Sequence, residues 1–225
     1  MNEAKKIVGR YAADFIKPGM TLGIGSGTTV YWLIMELGAR IRQGLTITAI
    51  PTSIESANLA KQEGIIVSDL NAINKITLTI DGADEIDPAG NLVKGGGGAL
   101  LQEKIVAAAS AKLIIIADDS KLVDQLGKFP LAVEVIPFGY VFVKKTIMDS
   151  GLCKRVTLRK KNDKTFITDH QHYILDCECD KIEDPRSLNV ALHLIPGVVE
   201  TGLFVGMTHK AIIGHKDGSI EEINY

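Results

Sequence analysis

ITLTIDGADEI, residues 76–86, is the stretch that decides the fold: an apolar run of strand-forming residues leads directly into an acidic loop. A second run of the same kind, LIIIA, occupies residues 113–117 and also ends in acidic residues. Runs this apolar are typical of strands that are buried on both faces, as in a parallel sheet covered by helices. The two stretches therefore predict buried strands of a parallel sheet.

Helix-like segments separate strand-like runs on both sides of this stretch. The strand-like runs are 21–25, 45–53, 76–86 and 112–120, and the helix-like segments are 28–44, 54–64 and 99–111. Such alternation predicts an α/β fold: a doubly wound, mostly parallel, Rossmann-like sheet.

The pattern changes after residue 126. Strand-like runs at 131–137, 154–160, 165–179 and 198–204 alternate with helix-like segments at 140–151 and 185–197. This β-α-β-β-α-β order predicts a second, smaller α+β domain of the ferredoxin-like kind. The predicted domains are a catalytic Rossmann-like domain of residues 1–126 plus about 204–225, to which the hairpin 211–223 returns, and a small domain of about 127–203.

Composition excludes several classes of protein. The 225 residues carry a formal net charge of -2 and no long basic stripe, which argues against a nucleic-acid partner. No apolar run is long enough for a membrane span, and the charged first residues are typical of an amphipathic helix and not of a signal peptide. Three cysteines are too few for a disulfide framework, so we expect a cytoplasmic protein without a membrane partner.

GIGSGTT, residues 23–29, lies between a predicted strand and a predicted helix. The first amide groups of a helix lack intrahelical acceptors and favour an anion, so the loop predicts a phosphate site. It is not a dinucleotide fingerprint, since position 28 is Thr28 and not glycine, and no Gly-Lys-Ser/Thr of a Walker A loop follows.

DGADEID, residues 81–87, places four carboxylates in seven residues at the end of a buried strand. Carboxylates this close repel one another unless they meet a cation, hydroxyl groups or water. A loop that binds a polyol is the preferred interpretation, because carboxylates readily accept hydrogen bonds from sugar hydroxyls. A magnesium site and a solvated acidic loop are the alternatives.

KGGGGALLQEKIV, residues 94–106, joins a strand to an apolar helix through four glycines. Glycines allow the backbone to approach a ligand where side chains would block it. Glu103 then falls in the first turns of the helix, and the ammonium group of Lys94 can sit opposite it across a small ligand. Lys121, which follows the second apolar strand, is a further candidate contact at the same sheet edge.

His170, His172, Cys177 and Cys179 together suggest a zinc site. Side chains alternate along a strand, however, so the cysteines share one face and His172 belongs to the other. The alternation favours cysteines that point into a core over a zinc site.

Taken together, GIGSGTT, DGADEID, KGGGGALLQEKIV and ADDSKLV, in this order and spacing, closely resemble ribose-5-phosphate isomerases of type A. The resemblance extends over nearly the whole chain. It implies interconversion of ribose 5-phosphate and ribulose 5-phosphate in the non-oxidative pentose phosphate pathway, with no metal or organic cofactor, by a homodimer or a tetramer. It also implies that Glu103 is the catalytic base, assisted by Asp81, Asp84 and Lys94. The implied substrate contacts are Lys5, Ser26, Gly27, Thr28, Thr29, Asp81, Gly82, Ala83, Asp84, Lys94, Gly95, Gly96, Gly97 and Lys121.

The chemistry of the reaction agrees with these roles. An aldose-ketose shift passes through an enediolate, which requires a base near the carbon acid and a fixed electrophile near the developing oxyanion. Two alternatives remain at this point: an enzyme like the coenzyme A transferases, in which a glutamate forms a thioester, and a non-catalytic sugar-phosphate sensor. The sensor would require a DNA-binding segment, for which one helix before residue 21 leaves little room.

Overall fold

A computed structural model describes residues 3–225 of the chain. The α-helices are α1 (Glu3–Ala12), α2 (Thr28–Arg42), α3 (Ile54–Gln62), α4 (Leu100–Ala108), α5 (Tyr140–Asp149) and α6 (Pro185–His193). Short 3-10 helices lie at Ala13–Phe15, Leu70–Ala72 and Asp119–Lys121. No helix within residues 3–225 combines the length and the apolarity that a bilayer span requires.

The strands include those predicted from the sequence and several additional short ones, such as Ile66–Val67 and Leu92–Val93. They are β1 (Thr21–Ile24), β2 (Thr48–Pro51), β3 (Ile66–Val67), β4 (Leu78–Asp81), β5 (Glu85–Ile86), β6 (Leu92–Val93), β7 (Leu113–Asp118), β8 (Leu131–Val135), β9 (Arg155–Leu158), β10 (Lys160–Lys161), β11 (Lys164–Thr165), β12 (Tyr173–Glu178), β13 (Val198–Thr201), β14 (Leu203–Phe204), β15 (Lys210–Gly214) and β16 (Ile220–Asn224).

The chain forms two compact units. The first contains the residues up to Ala83 together with Gln102–Lys121 and Met207–Tyr225, and the second contains Asp84–Leu101 and Leu122–Gly206. The domain boundaries derived from the sequence stay a prediction.

A seven-stranded sheet is the centre of the first unit, with the order β16-β15-β7-β4-β1-β2-β3. All neighbouring pairs are parallel except β15 with β16, which form the closing hairpin. Both stretches that decide the fold, β4 and β7, are central and buried throughout. Residues of α1, α2 and α3 share one core with the strands, while Val106 of α4 packs with Ile50 and Ile76 in a separate cluster. The α/β prediction is confirmed.

The second unit contains a four-stranded antiparallel sheet with the order β13-β8-β12-β9. This is the strand order of the predicted ferredoxin-like arrangement. Buried side chains of α5 and α6, among them Val143, Ile147 and Leu192, form its core with those of the strands. A small sheet of β14, β6 and β5 belongs to the same unit.

One predicted strand is wrong in extent. The run 165–179 is not continuous: its start belongs to the β10–β11 hairpin, and β12 begins only at Tyr173. A turn interrupts it, in which the N–H of Gln171 donates to the carbonyl of Thr168 and Gln171 has a φ of 63°. This left-handed conformation lies outside the extended region of a strand, so the turn separates the two parts of the run.

Candidate active site

The first candidate loop, residues 23–29, connects β1 to α2 as predicted. Gly27 precedes the helix with a φ of 99°, a value that favours glycine. The first bond of α2 runs from the Tyr31 N–H to the Gly27 carbonyl, so the amide groups of Thr28 and Thr29 have no acceptor within the helix. The loop therefore ends in a helix N-terminus that favours an anion.

Lys5 of α1 adds a positive charge at this helix start. Its Nζ lies 3.0 Å from Thr28 Oγ1 and 3.7 Å from the carboxylate of Asp118 at the end of β7. Ser120 donates from its N–H and hydroxyl to the same carboxylate, which is buried. Lys5, one of the substrate contacts that the resemblance implies, is thus held beside Thr28. Asp118, which holds it, was not singled out from the sequence.

Ser26 lies in a cluster of hydroxyl groups. Its Oγ is 2.9 Å from Thr52 Oγ1, 2.8 Å from Ser53 Oγ and 3.1 Å from Ser56 Oγ. Ser56 also donates to the Gly25 carbonyl at 2.7 Å, and Ser53 caps α3 by accepting from the Ser56 N–H. These three partners were not predicted from the sequence, although the Ser53-x-x-Ser56 spacing is that of a helix N-cap.

Asp81, the last residue of β4, is buried next to this loop. Its Oδ1 accepts from the Ser26 N–H at 3.1 Å and from the Gly82 N–H at 2.7 Å. A Cβ at Gly25 would lie only 2.0 Å from the same oxygen, so the backbone of the first loop touches this carboxylate. Gly82 is open on one side: a Cβ there would meet only backbone at 3.7 Å or more, and Ala83 is the last residue of the first segment of this unit.

Glu103 lies in the first turn of α4 and is 5% exposed. The neighbouring Gln102 donates from Nε2 to the carbonyl of Pro51 at the end of β2, which ties the start of the helix to the sheet. Lys121, the last residue of the 3-10 helix after β7, is half-buried. The first unit thus carries a buried carboxylate on a fixed helix turn.

The second unit holds the remaining candidates. Asp84 accepts from the Gly96 N–H at 2.8 Å and donates its own N–H to Val93, so the acidic loop and the glycine loop meet within this unit. Lys94 is 3% exposed, its N–H donates to the Gly202 carbonyl at 2.8 Å, and its Nζ lies 5.4 Å from the centre of the Phe204 ring.

Steric contacts explain why three of the four positions 95–98 are occupied by glycine. A Cβ would lie 2.8 Å from Ala132 at Gly95, 2.8 Å from the Asp84 carboxylate at Gly96, and 2.4 Å from Phe166 at Gly98. At Gly97 nothing lies within 4 Å, so this position is open. The loop is packed against the second unit at three positions and uncovered at one.

The residues of the zinc hypothesis have other surroundings. His172 Nδ1 lies 3.0 Å from Glu134, whereas Cys177 is buried in the core that contains Tyr173, Leu175 and Cys179. The predicted alternation along β12 is confirmed. Within residues 3–225, no group of three or more histidine, cysteine or acidic side chains could hold a metal ion.

Comparisons with known proteins agree with the resemblance. The family model of Ribose 5-phosphate isomerase A (phosphoriboisomerase A) matches residues 48–218. A ribose-5-phosphate isomerase A of Bacillus cereus is 54% identical over 220 residues, which cover 97% of this chain and 99% of that protein.

Solved structures give the same result. A ribose 5-phosphate isomerase from Plasmodium falciparum has a TM-score of 0.96 at 37% identity and covers 100% of this chain and 99% of its own. A D-ribose-5-phosphate isomerase in complex with phospho-erythronic acid has a TM-score of 0.93 at 34% identity, covering 99% and 98%. Neither the transferase nor the sensor alternative is supported. The chain belongs to the ribose-5-phosphate isomerase A family, whose members are isomerases that interconvert ribose 5-phosphate and ribulose 5-phosphate.

Proposed function

We propose that this chain catalyses the aldose-ketose shift through an enediolate, with Glu103 as the base that moves a proton between C1 and C2. The observation that carries the proposal is the place of Glu103: a buried carboxylate in the first turn of α4, five residues after Gly98, the last residue of the loop 94–98. A carbon acid needs a positioned base, and a carboxylate on a fixed helix turn meets that need.

Lys94 and Asp84 are the proposed partners at the sugar oxygens. Lys94 is a buried ammonium group whose backbone is fixed by Gly202, so it supplies a preorganised positive charge for the developing oxyanion. Asp84 is held by the Gly96 N–H and would accept hydrogen bonds from hydroxyl groups of the sugar.

Asp81 is the proposed group for ring opening, which must precede the shift when the substrate is a furanose. Two backbone N–H groups, those of Ser26 and Gly82, hold its Oδ1. Asp81→Asn should therefore slow turnover of the cyclic substrate far more than turnover of an open-chain substrate. Equal losses with both would contradict this role.

The phosphate group is proposed to bind at the start of α2, where Ser26, Gly27, Thr28 and Thr29 present hydroxyl groups and amide groups and Lys5 adds charge. Lys121 is the proposed additional cation, and Gly82, Ala83 and Gly95, Gly96 and Gly97 are proposed to contact the sugar through backbone atoms. A relative of the same fold is in complex with phospho-erythronic acid, which supports a phosphorylated ligand.

The test of the proposed base is conversion of ribose 5-phosphate in EDTA by the wild type and by Glu103→Gln. We expect robust turnover by the wild type and a loss of roughly 10³-fold or more in kcat for the variant, because the base acts only in the transition state. The matched control is Glu55→Gln, which changes an exposed glutamate in the first turn of α3 and should leave turnover unchanged. An active Glu103→Gln enzyme would assign the base to another residue.

We also propose that the protein is cytoplasmic and assembles as a homodimer or a tetramer. Large apolar side chains are exposed in the second unit around the start of α5 and the end of α6: Ile136, Phe138, Val141, Phe142, Val190 and Leu194. The Ile136 N–H donates to the Gly197 carbonyl, which links the two segments. Monomeric proteins rarely expose such patches. Analytical ultracentrifugation of the wild type and of Phe138→Ser with Phe142→Ser should show a multimer for the first and a smaller species for the second.

We propose the domain division from the change of sequence pattern after residue 126. Residues 1–126 plus about 204–225 form a catalytic domain, and about 127–203 form a small domain.

A further inference from the structure

Arg159, the residue after β9, is fixed in the second unit through its backbone. Its N–H donates to the Ile174 carbonyl at 2.9 Å, and its carbonyl accepts from the Phe166 N–H at 3.0 Å. Only 13% of its side chain is exposed. An arginine held at both backbone groups and largely covered is placed with little freedom to move.

The guanidinium group of Arg159 joins a carboxylate to two loop carbonyls. Nε donates to Asp176 Oδ2 at 3.0 Å, and Nη2 pairs with Asp176 Oδ1. Nη1 donates to the carbonyls of Gly95 at 2.6 Å and Gly96 at 3.2 Å. The planar fork of an arginine presents donors on three separate nitrogen atoms in fixed directions, whereas the three donors of a lysine ammonium share a single nitrogen atom.

The peptide between Gly95 and Gly96 is held at both of its ends. Its carbonyl accepts from Arg159, and its N–H donates to Asp84 at 2.8 Å. No peptide bond within residues 3–225 is cis, so the carbonyl and the N–H of each peptide group point in opposite directions. The carbonyl of Gly96 also faces Arg159, which turns the Gly97 N–H to the side away from the guanidinium group.

Packing holds the same loop against the sheet of the second unit. The Arg159 guanidinium lies 6.0 Å from the centre of the Phe166 ring, and a Cβ at Gly98 would lie 2.4 Å from that ring. Gly95 packs against Ala132 of β8. The two peptide planes therefore depend on side chains that follow the loop by more than sixty residues.

We propose that Arg159, held by Asp176, is a positioning residue for the isomerase reaction: it sets the peptide planes of residues 95–97 and with them Asp84. The proposal rests on the assignment of Asp84 and residues 94–97 to the substrate made above. Arg159 touches no reacting atom in this account. Through Arg159, the small antiparallel sheet supports the glycine loop and so contributes to catalysis.

The test compares Arg159→Gln with Arg155→Gln by steady-state kinetics. Arg155 also forms an ion pair between β9 and β12, with Glu178, but it is exposed and contacts no glycine of the loop. We expect Arg159→Gln to lose about 10- to 100-fold in kcat with KM changed only a few-fold, since misplaced groups weaken transition-state contacts. Arg155→Gln should keep the kinetic constants of the wild type.

Chemical rescue separates positioning from general stability. Added guanidinium ion should restore part of the kcat of Arg159→Ala and should leave Arg155→Ala unchanged. Arg159→Lys should stay impaired, because one ammonium group cannot serve Asp176 and both carbonyls. Turnover of Arg159→Gln equal to that of Arg155→Gln, or a lack of rescue, would overturn the proposal.

Two further controls keep the outcomes distinct. A wild type without turnover, or an active Glu103→Gln, would count against the proposed function and not against Arg159 alone. If Arg159→Gln fails to fold, Asp176→Asn decides: it retains the volume of the side chain and weakens the hold on the guanidinium group. A lower kcat for Asp176→Asn supports the proposal, and an unchanged kcat contradicts it.

Discussion

Two glycine-rich loops, residues 23–29 and 94–98, differ in what holds them. The first is held by the parallel sheet from which it emerges: the Gly25 N–H donates to Ile80 of the neighbouring strand, and the Ser26 N–H donates to Asp81. The second is held by Arg159 and Phe166, which come from strands and turns much later in the chain.

The difference lies in the kind of contact that supports each loop, since the supporting residues are at similar distances along the chain: 55 residues from Ser26 to Asp81 and 64 from Gly95 to Arg159. The first loop is held by main-chain groups and Asp81 of the parallel sheet and by the hydroxyl group of Ser56 from the helix that follows β2. The glycine loop depends on the ion pair between Arg159, which follows β9, and Asp176 of β12. Neither residue belongs to the loop. The first loop should therefore be sensitive to added side-chain volume. The second should be sensitive to loss of the charges of Arg159 and Asp176.

Gly25→Ala tests the first half of this comparison and should have the largest effect. The added Cβ would lie 2.0 Å from Asp81 Oδ1 and 2.6 Å from Asp81 Cα, and a backbone atom of a buried strand cannot move aside cheaply. We expect kcat/KM to fall by about 100-fold or more and the free energy of unfolding to fall by about 1–3 kcal/mol. Steady-state kinetics and urea unfolding measure both.

Gly97→Ala is the matched control in the second loop. Nothing lies within 4 Å of a Cβ at this position, and its φ is not in the left-handed region. Its unfolding free energy should equal or exceed that of the wild type by a few tenths of a kcal/mol to about 1 kcal/mol, because alanine restricts the unfolded chain. Equal stability of Gly25→Ala and Gly97→Ala would show that the contacts of Gly25 with Asp81 are not tight.

The same difference determines what could be predicted from the sequence. The strand from Leu78 to Asp81 and the helix from Thr28 were predictable because apolar runs and glycine-to-helix transitions are local signals. Lys94 and Glu103 were predicted as site residues because they lie on either side of the four glycines. Arg159 gave no such signal: it stands among other basic residues in KRVTLRK, and only the pairing of β9 with β12 sets it apart.

Two further features needed long-range information. The hydroxyl group of Ser56 reaches Gly25 because α3 follows β2 next to β1, a contact that sequence spacing does not describe. The break of the strand before Tyr173 depends on the left-handed conformation of Gln171, which glutamine adopts rarely. Local patterns thus predicted the elements, and the tertiary contacts decided which side chains support the site.

Lys5→Gln tests the charge at the proposed phosphate site and should have the next largest effect. Removing one ammonium group beside Thr28 costs a charge-assisted hydrogen bond to phosphate, so we expect KM for ribose 5-phosphate to rise about 10-fold, with kcat changed less. The control is Lys6→Gln on the same helix, whose ammonium group pairs with Glu3. A fall in kcat without a change in KM would remove Lys5 from the phosphate site.

Ser56→Ala removes the hydroxyl support of the same loop and should have a smaller effect. The Gly25 carbonyl loses its 2.7 Å bond, so we expect a loss of about 1 kcal/mol in the free energy of unfolding. A several-fold fall in kcat/KM should accompany it, since Ser26 is bonded to the same hydroxyl. Asn58→Ala, an exposed change on the same helix, is the control. Identical unfolding curves for the two variants would indicate that the cluster does not stabilise the loop.

The smallest effect on turnover is expected from the thiols of the second unit. Hydrogen bonding to Cys177 and burial raise the pKa of Cys153 to about 12, and hydrogen bonding to Cys153, whose Sγ is 3.2 Å away, raises the pKa of Cys179. Since the thiolate is the nucleophile, iodoacetamide at about pH 8.5, near the ordinary thiol pKa, should alkylate the folded chain at least about 10-fold more slowly than the unfolded chain. Mass spectrometry over time measures both rates.

The sign of the pH dependence follows from the same pKa shift. A thiol whose pKa is raised on folding stabilises the native state fully below its unfolded pKa, and this contribution is lost as pH rises toward the folded pKa.

Ala132 and Ile174 face the glycine loop, whereas Leu175 and Cys177 lie in the opposite core of the same sheet. Cys153→Ser and Cys179→Ser should thus retain wild-type turnover. A large loss of kcat in either variant would mean that the glycine loop depends on both faces of its supporting sheet, and that Arg159 is one of several distant supports.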